Sequence, residues 1–265
     1  MYIRKMFEEK KIVFSFEIFP PKSTSPIHTI YYTLEALQDL KPDYISVTYG
    51  AGGNISDNRT CELSSLVKNK YGIESLAHLT CINSSKTTID KILAQLKTEG
   101  VKNVLALRGD IPKQVDTVGE FNYACELIGY VHQTHTFGIA AACYPEGHID
   151  SSSLQQDIET LKIKVDAGTD YLISQLFFDN NYFYDFLNLV EQKSIDIPIQ
   201  AGIMPVANKR QIERIVSLCG ATVPHKFTKI MNRYEHDREA LREAGIAYAT
   251  EQIIDLISTG VRGIH

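Results

Sequence analysis

Seven apolar, β-branched runs recur along the chain, six of them closing on or near a polar residue and most leading into a segment of helical periodicity. Glu17 follows VFSF, and Thr48 follows YISV. His78 sits in SLAHLTC, Asp110 follows VLALRG, Glu146 follows AAACYP, and Gln175 sits in YLISQLFFD. The runs are Val13–Phe19, Tyr44–Tyr49, Ser75–Cys81, Asn103–Arg108, Gly138–Tyr144, Tyr171–Phe178 and Pro198–Met204. They are apolar at successive positions, as strands buried on both faces must be. Repeated strand–helix units without a break predict a (β/α)8 TIM barrel, in which all strands end around one mouth and active sites sit there. An open doubly wound sheet is the competing architecture.

The helical segments are Thr29–Leu40, Arg59–Lys70, Thr87–Glu99, Glu120–Thr134, Leu154–Ala167, Tyr182–Gln192, Lys209–Leu218 and Glu235–Ser258. Gly100, Gly138, Gly168 and Gly260 stand where helix-terminating glycines belong, and Asn208 and Asp179 where N-caps belong. An eighth strand would begin at Arg262, so the last strand is expected to be truncated at His265. The 265 residues suit one such domain, spanning 1–265.

A net charge of −5 argues against bulk attraction to nucleic acid or an anionic membrane. No apolar run reaches membrane-span length, and the charged N-terminus does not read as a signal peptide, so a cytoplasmic location is expected. The five cysteines are odd in number and irregularly spaced, which suits small buried hydrophobes rather than disulfides or zinc. No metal site is expected.

Glu17 lies between phenylalanines in FSFEIFPPKS. A carboxylate in apolar surroundings is costly to ionise, which suits a general acid, though it also suits a structural ion pair. Thr48–Gly53, TYGAGG, reads as a ligand-approach loop or as a plain tight turn. Gly109 in RGD suggests close backbone approach to something flat or bulky, and Asp110 either meets a heterocycle's N–H groups or caps the next segment. Tyr144, Glu146 and His148 crowd into YPEGH. Gln175 carries a donor and an acceptor that match a ring edge, or it bonds neighbouring strands. His78 reads equally as a core histidine, Lys164 as a solvated lysine able to reach a phosphate, and His132 and His135 as surface residues. No lysine sits within a strand near its C-terminal end, which disfavours Schiff-base chemistry.

The segments FSFEIFPPKS, ISVTYGAGG, AHLTC, ALRGD, AACYPEGH, LKIKVDAGTDYLISQLFFD and AGIMPV together resemble the methylenetetrahydrofolate reductase family, over Phe14 to Val206. The resemblance is closest in length to its bacterial catalytic subunits. It implies a barrel holding FAD, reduced by NADH or NADPH in one half of a ping-pong cycle. The other half converts 5,10-methylenetetrahydrofolate to 5-methyltetrahydrofolate, in one-carbon metabolism and methionine synthesis. It implies Glu17 as general acid, Asp110 as a catalytic residue near flavin and pterin, and Gln175 as a pterin-binding residue. It further implies FAD contacts from Thr48, His78, Leu107, Arg108, Gly109, Asp110, Ala142, Tyr144, His148, Asp157 and Lys164. A homo-oligomer is implied, and some relatives work with an electron-transfer partner subunit. Thr160, Ile163 and Ile215 depart from residues found in some relatives at phosphate and substrate positions. A flavin-free folate- or pterin-binding barrel transferase and a non-catalytic barrel subunit are the alternatives.

Overall fold

The structure is a computed structural model describing residues 1–21, 26–49, 59–110 and 119–265. Eight strands, all parallel where their register is defined, run in the order β7-β6-β5-β4-β3-β2-β1-β8. They are β1 Val13–Ile18, β2 Tyr44–Val47, β3 Glu74–Thr80, β4 Asn103–Leu107, β5 Gly138–Cys143, β6 Tyr171–Ser174, β7 Ile199–Gln200 and β8 Gly263–Ile264. A bridge between Ala201 and Ile264 joins β7 to β8, so the strand order is cyclic. Helices alternate with these strands, and the fold is a (β/α)8 barrel. The eighth strand is present, although only two residues long.

Two compact units make up the chain: Met1–Ala142 with Ile163–Tyr171, and Cys143–Lys162 with Leu172–His265. The first contains a short helix absent from the sequence expectation, α1 Ile3–Glu9. Its buried Ile3, Met6 and Phe7 face the core. At the N-terminal ends of β3 and β4, Glu74 is 6% exposed and accepts from the Met1 ammonium and the Lys68 Nζ, each at 2.6 Å. Asn103 donates to Glu74 at 3.4 Å and accepts the Ile3 N–H at 2.9 Å. A buried carboxylate is tolerated only with such partners. The remaining helices of this unit are α2 Tyr31–Asp39, α3 Arg59–Asn69, α4 Lys86–Thr98 and α5 Ala124–Thr134. Helix α5 begins four residues later than its apolar pattern suggests. Glu126 reaches back to accept the N–H groups of Asn122 and Tyr123, which ends the preceding turn.

Helix α6, Leu154–Asp166, passes from the second unit into the first. The second unit holds α7 Asn180–Gln192, α8 Lys209–Cys219, α9 His225–Arg233 and α10 Arg238–Ser258. Helix α9 is hidden in sequence because Pro224 before it and the turn at residues 234–236 after it break the apolar rhythm. Asp179 caps α7 by accepting the Asn181 N–H, and Asn208 accepts the Arg210 N–H at the start of α8. Phe178, Val206, Ile212, Phe227, Met231 and Leu241 form the core that α8, α9 and α10 share. Gly245 lets α10 lie against the backbone of Val206, whose carbonyl oxygen a Cβ would overlap. Gly100, Gly168 and Gly260 take positive φ after helices, as expected; Gly138 instead opens β5, because the His135 backbone ends α5.

Candidate active site at the strand ends

In the first unit, strand parity brings three side chains together. Glu17 pairs in register with Ser46, and Thr48 N–H continues the ladder to Ile18. Side chains alternate across a strand, so Phe16 and Ile18 project to the face opposite Glu17. Phe16, which precedes Glu17 in sequence, is therefore not part of its surroundings. Phe14 and Phe16 pack edge-to-face on each other, at 5.1 Å. Glu17 itself is one-third exposed, with Ser46 Oγ at 3.4 Å and His78 Nε2 at 3.3 Å from its Oε2. The ion-pair distance and the hydrogen-bond geometry differ here: His78 Nε2 is close to Oε2 but has no aligned partner among the described residues. Hydrogen bonds weaken steeply off axis, so this contact is an approach rather than a formed bond. His78 is 7% exposed, so it is a core histidine with an orphaned nitrogen facing a carboxylate.

Leu107 ends β4, and Arg108, Gly109 and the exposed Asp110 follow it. Gly109 has φ +86°, and a Cβ there would stand 3.0 Å from Ile82 and 3.1 Å from Thr80. Its close approach within the protein is to Thr80 at the end of β3 and to Ile82 just beyond it. Arg108 turns its Nε to the Gly109 carbonyl, 3.4 Å away. Thr48 is buried, and its carbonyl accepts from Thr60. Gly50–Gly53 of TYGAGG lie outside the described residues. Lys164 is 9% exposed and donates to the Ala142 carbonyl at 2.6 Å. It is not the solvated lysine the sequence suggests, because its stem lies along buried surface. His135 is not a simple surface residue either; its Nε2 lies 2.9 Å from Asp90.

In the second unit, Tyr144 and His148 meet edge-to-face at 4.7 Å. His148 Nδ1 accepts the Asp150 N–H at 3.0 Å, which places the neutral ring's proton on Nε2 as a donor. Glu146 accepts the Thr222 N–H with both oxygens, at 3.1 and 3.0 Å, and so holds the α8–α9 connection. Gln175 donates its N–H to the Cys143 carbonyl, and its side-chain Oε1 accepts the Leu176 N–H at 2.9 Å. That bond ends β6 four residues before its apolar run does. It also orients the carboxamide NH2 as the group left for a ligand. Asp157 in α6 is 7% exposed.

Sequence reasoning overlooked Ser46. The available signal was a lone serine in YISV, one strand from Glu17 and of the same parity.

The fold belongs to the (β/α)8 barrel class, in which active sites sit at the strand ends. The chain belongs to the methylenetetrahydrofolate reductase family, whose model matches residues 2–265. It is 34% identical to "Methylenetetrahydrofolate reductase (NADH) 1" of Arabidopsis thaliana, covering 99% of this chain and 47% of that one. It is 32% identical to the 5,10-methylenetetrahydrofolate reductase of Escherichia coli, covering 95% and 84%. The chain thus spans about half the length of its plant relatives and most of the bacterial ones. Among solved structures it resembles an uncharacterized protein from Clostridium thermocellum that binds two copies of 5-methyl-5,6,7,8-tetrahydrofolic acid. That match has TM-score 0.71 at 12% identity, covers 100% of this chain and 92% of the other, and shows the shared fold.

Proposed function

We propose that the protein reduces 5,10-methylenetetrahydrofolate to 5-methyltetrahydrofolate, with FAD as cofactor and NADH or NADPH as donor. The observation that carries this reading is the Glu17 carboxyl beside the orphaned His78 nitrogen in a chain of this family. The NADH in the names of the plant relatives favours NADH.

The residues present fit a flavin nucleotide. His78 is buried beside Glu17 at the strand ends, and His148 Nε2 offers a donor for a ribose or phosphate oxygen. Thr48, Leu107 to Asp110, Ala142, Tyr144, Asp157 and Lys164 complete the set assigned to it. When bound, FAD would supply hydride transfer between the nicotinamide and the folate, and alternate use of one site by the two would make the kinetics ping-pong. The protein supplies the proton and the orientation. Glu17 donates a proton to the amine nitrogen of the folate's methylene bridge, which opens the bridge to reduction. Asp110, exposed at the end of β4, accepts from pterin N–H groups. Gln175 donates its NH2 to the pterin edge. Self-association and a separate electron-delivering subunit belong to the same proposal.

An anaerobic absorbance spectrum tests it. Flavin bands should bleach on adding NADH and return on adding methylenetetrahydrofolate. A protein that takes up no FAD, or whose reduced flavin the folate leaves unchanged, sinks the reading.

A further inference from the structure

We propose that Ser46 and His78 are positioning residues for Glu17, holding its Oε2 between a hydroxyl and an imidazole so that the acid is aligned and its conjugate base stabilised. The inference rests on the reading of Glu17 as proton donor. Three neighbouring strands supply one side chain each, and the register fixes the set. Glu17 lies opposite Ser46 across β1 and β2, and Thr48 would continue that register opposite His78 on β3. Both partners approach the same oxygen, at 3.4 and 3.3 Å. Ser46 is fully buried and His78 nearly so, so neither can turn to water for a partner.

The two contacts are long for ground-state hydrogen bonds, and His78 Nε2 is not aligned. Catalytic hydrogen bonds often tighten only as charge develops. When Glu17 protonates the bridge nitrogen, its O–H bond breaks, an N–H bond forms on the folate, and the electron pair stays on the carboxylate. The Ser46 O–H and the His78 Nε2–H then meet a full negative charge. Interactions stronger in the transition state than before it raise kcat and leave KM nearly unchanged. Titratable groups that face this carboxylate include His78 from β3 and the buried Tyr44 phenol from β2.

Ser46→Ala, His78→Leu and His78→Gln test the assignment by stopped-flow of the two half-reactions, at matched FAD content. Ser46→Ala and His78→Leu should slow the folate half-reaction about ten- to a hundredfold more than the nicotinamide half-reaction. The folate KM should change little, and His78→Gln, which keeps an N–H donor, should recover part of the loss. Equal losses in both half-reactions, or no recovery by Gln, overturn the proposal. A second measurement needs no turnover: in 15N-histidine-labelled protein, Glu17→Gln should shift the His78 Nε2 resonance, and an unmoved resonance overturns the clamp. If the folate fails to reoxidise the wild-type flavin, the functional reading falls, and the resonance alone decides whether the clamp exists.

Discussion

At the scale of single residues, what a side chain touches decided its chemistry more than what flanks it in sequence. Glu17 stands between apolar neighbours in the chain, yet it shares its oxygen with Ser46 and His78 in space. Glu17→Gln keeps the shape and removes the proton. We expect loss of the folate half-reaction with flavin reduction by the nicotinamide largely kept, read by rapid-mixing absorbance. Loss of both in a folded, FAD-bound variant would rule out the acid role. The cysteines divide by burial. Burial pushes the Cys61 thiol up to about 11 and the Cys81 thiol up to about 12, so both stay protonated at neutral pH. Thiolates are the reactive form. In the native protein a thiol reagent should therefore reach the half-buried Cys125 and Cys219 well before Cys61 and Cys81, which react on unfolding. Native-state labelling of Cys61 or Cys81 at the same rate would show that the burial is wrong.

At the scale of elements, boundaries follow hydrogen-bond accounting rather than apolar periodicity. Strand β6 stops at Ser174 although LFF continues the apolar run, because the Gln175 side chain takes the next N–H. Helix α10 shows a different trade. Alanine is about 1 kcal/mol better than glycine inside a helix, yet Gly245 sits mid-helix against the Val206 backbone. A backbone carbonyl cannot move as a flexible side chain can. Gly245→Ala should therefore destabilise, by about 1–3 kcal/mol as over-packed sites do. A lowered urea midpoint with unchanged slope is the expected result, and a raised midpoint would mean that helix propensity wins.

At the scale of the whole molecule, the described residues contain no helix long and apolar enough to cross a membrane. Stability should respond to acid through a few surface carboxylates. Tyr130 and His135 bonds hold the Asp90 carboxyl below its usual range, and Asn180 and Tyr184 do the same for Asp255. A depressed carboxylate contributes stability above its unfolded pKa, near 4, and loses it as pH falls through the folded value. Both groups are exposed, so each effect is small and screened. Asp90→Asn should flatten the acid limb of a Tm-against-pH curve below about pH 4 and leave the alkaline limb unchanged. Binding of the proposed FAD would act on the same equilibrium with greater weight. FAD at 100 times its Kd should add about 2.7 kcal/mol and raise Tm. Thermal melts unmoved by FAD would count against the proposed cofactor.

The sequence by itself determined the barrel: apolar runs alternating with helical periods admit few folds, and the motif set identifies one family. It also located most helices to within a turn and two of their caps, because caps and periodicity are local. It did not disclose α1 or α9, or the engagement of Lys164 and Gly109 with the protein's own backbone and side chains. Those depend on partners distant in the chain. The Glu17–Ser46–His78 cluster spans 61 positions between Glu17 and His78. Only strand register, a property of the folded sheet, sets three such residues on one face within hydrogen-bond reach.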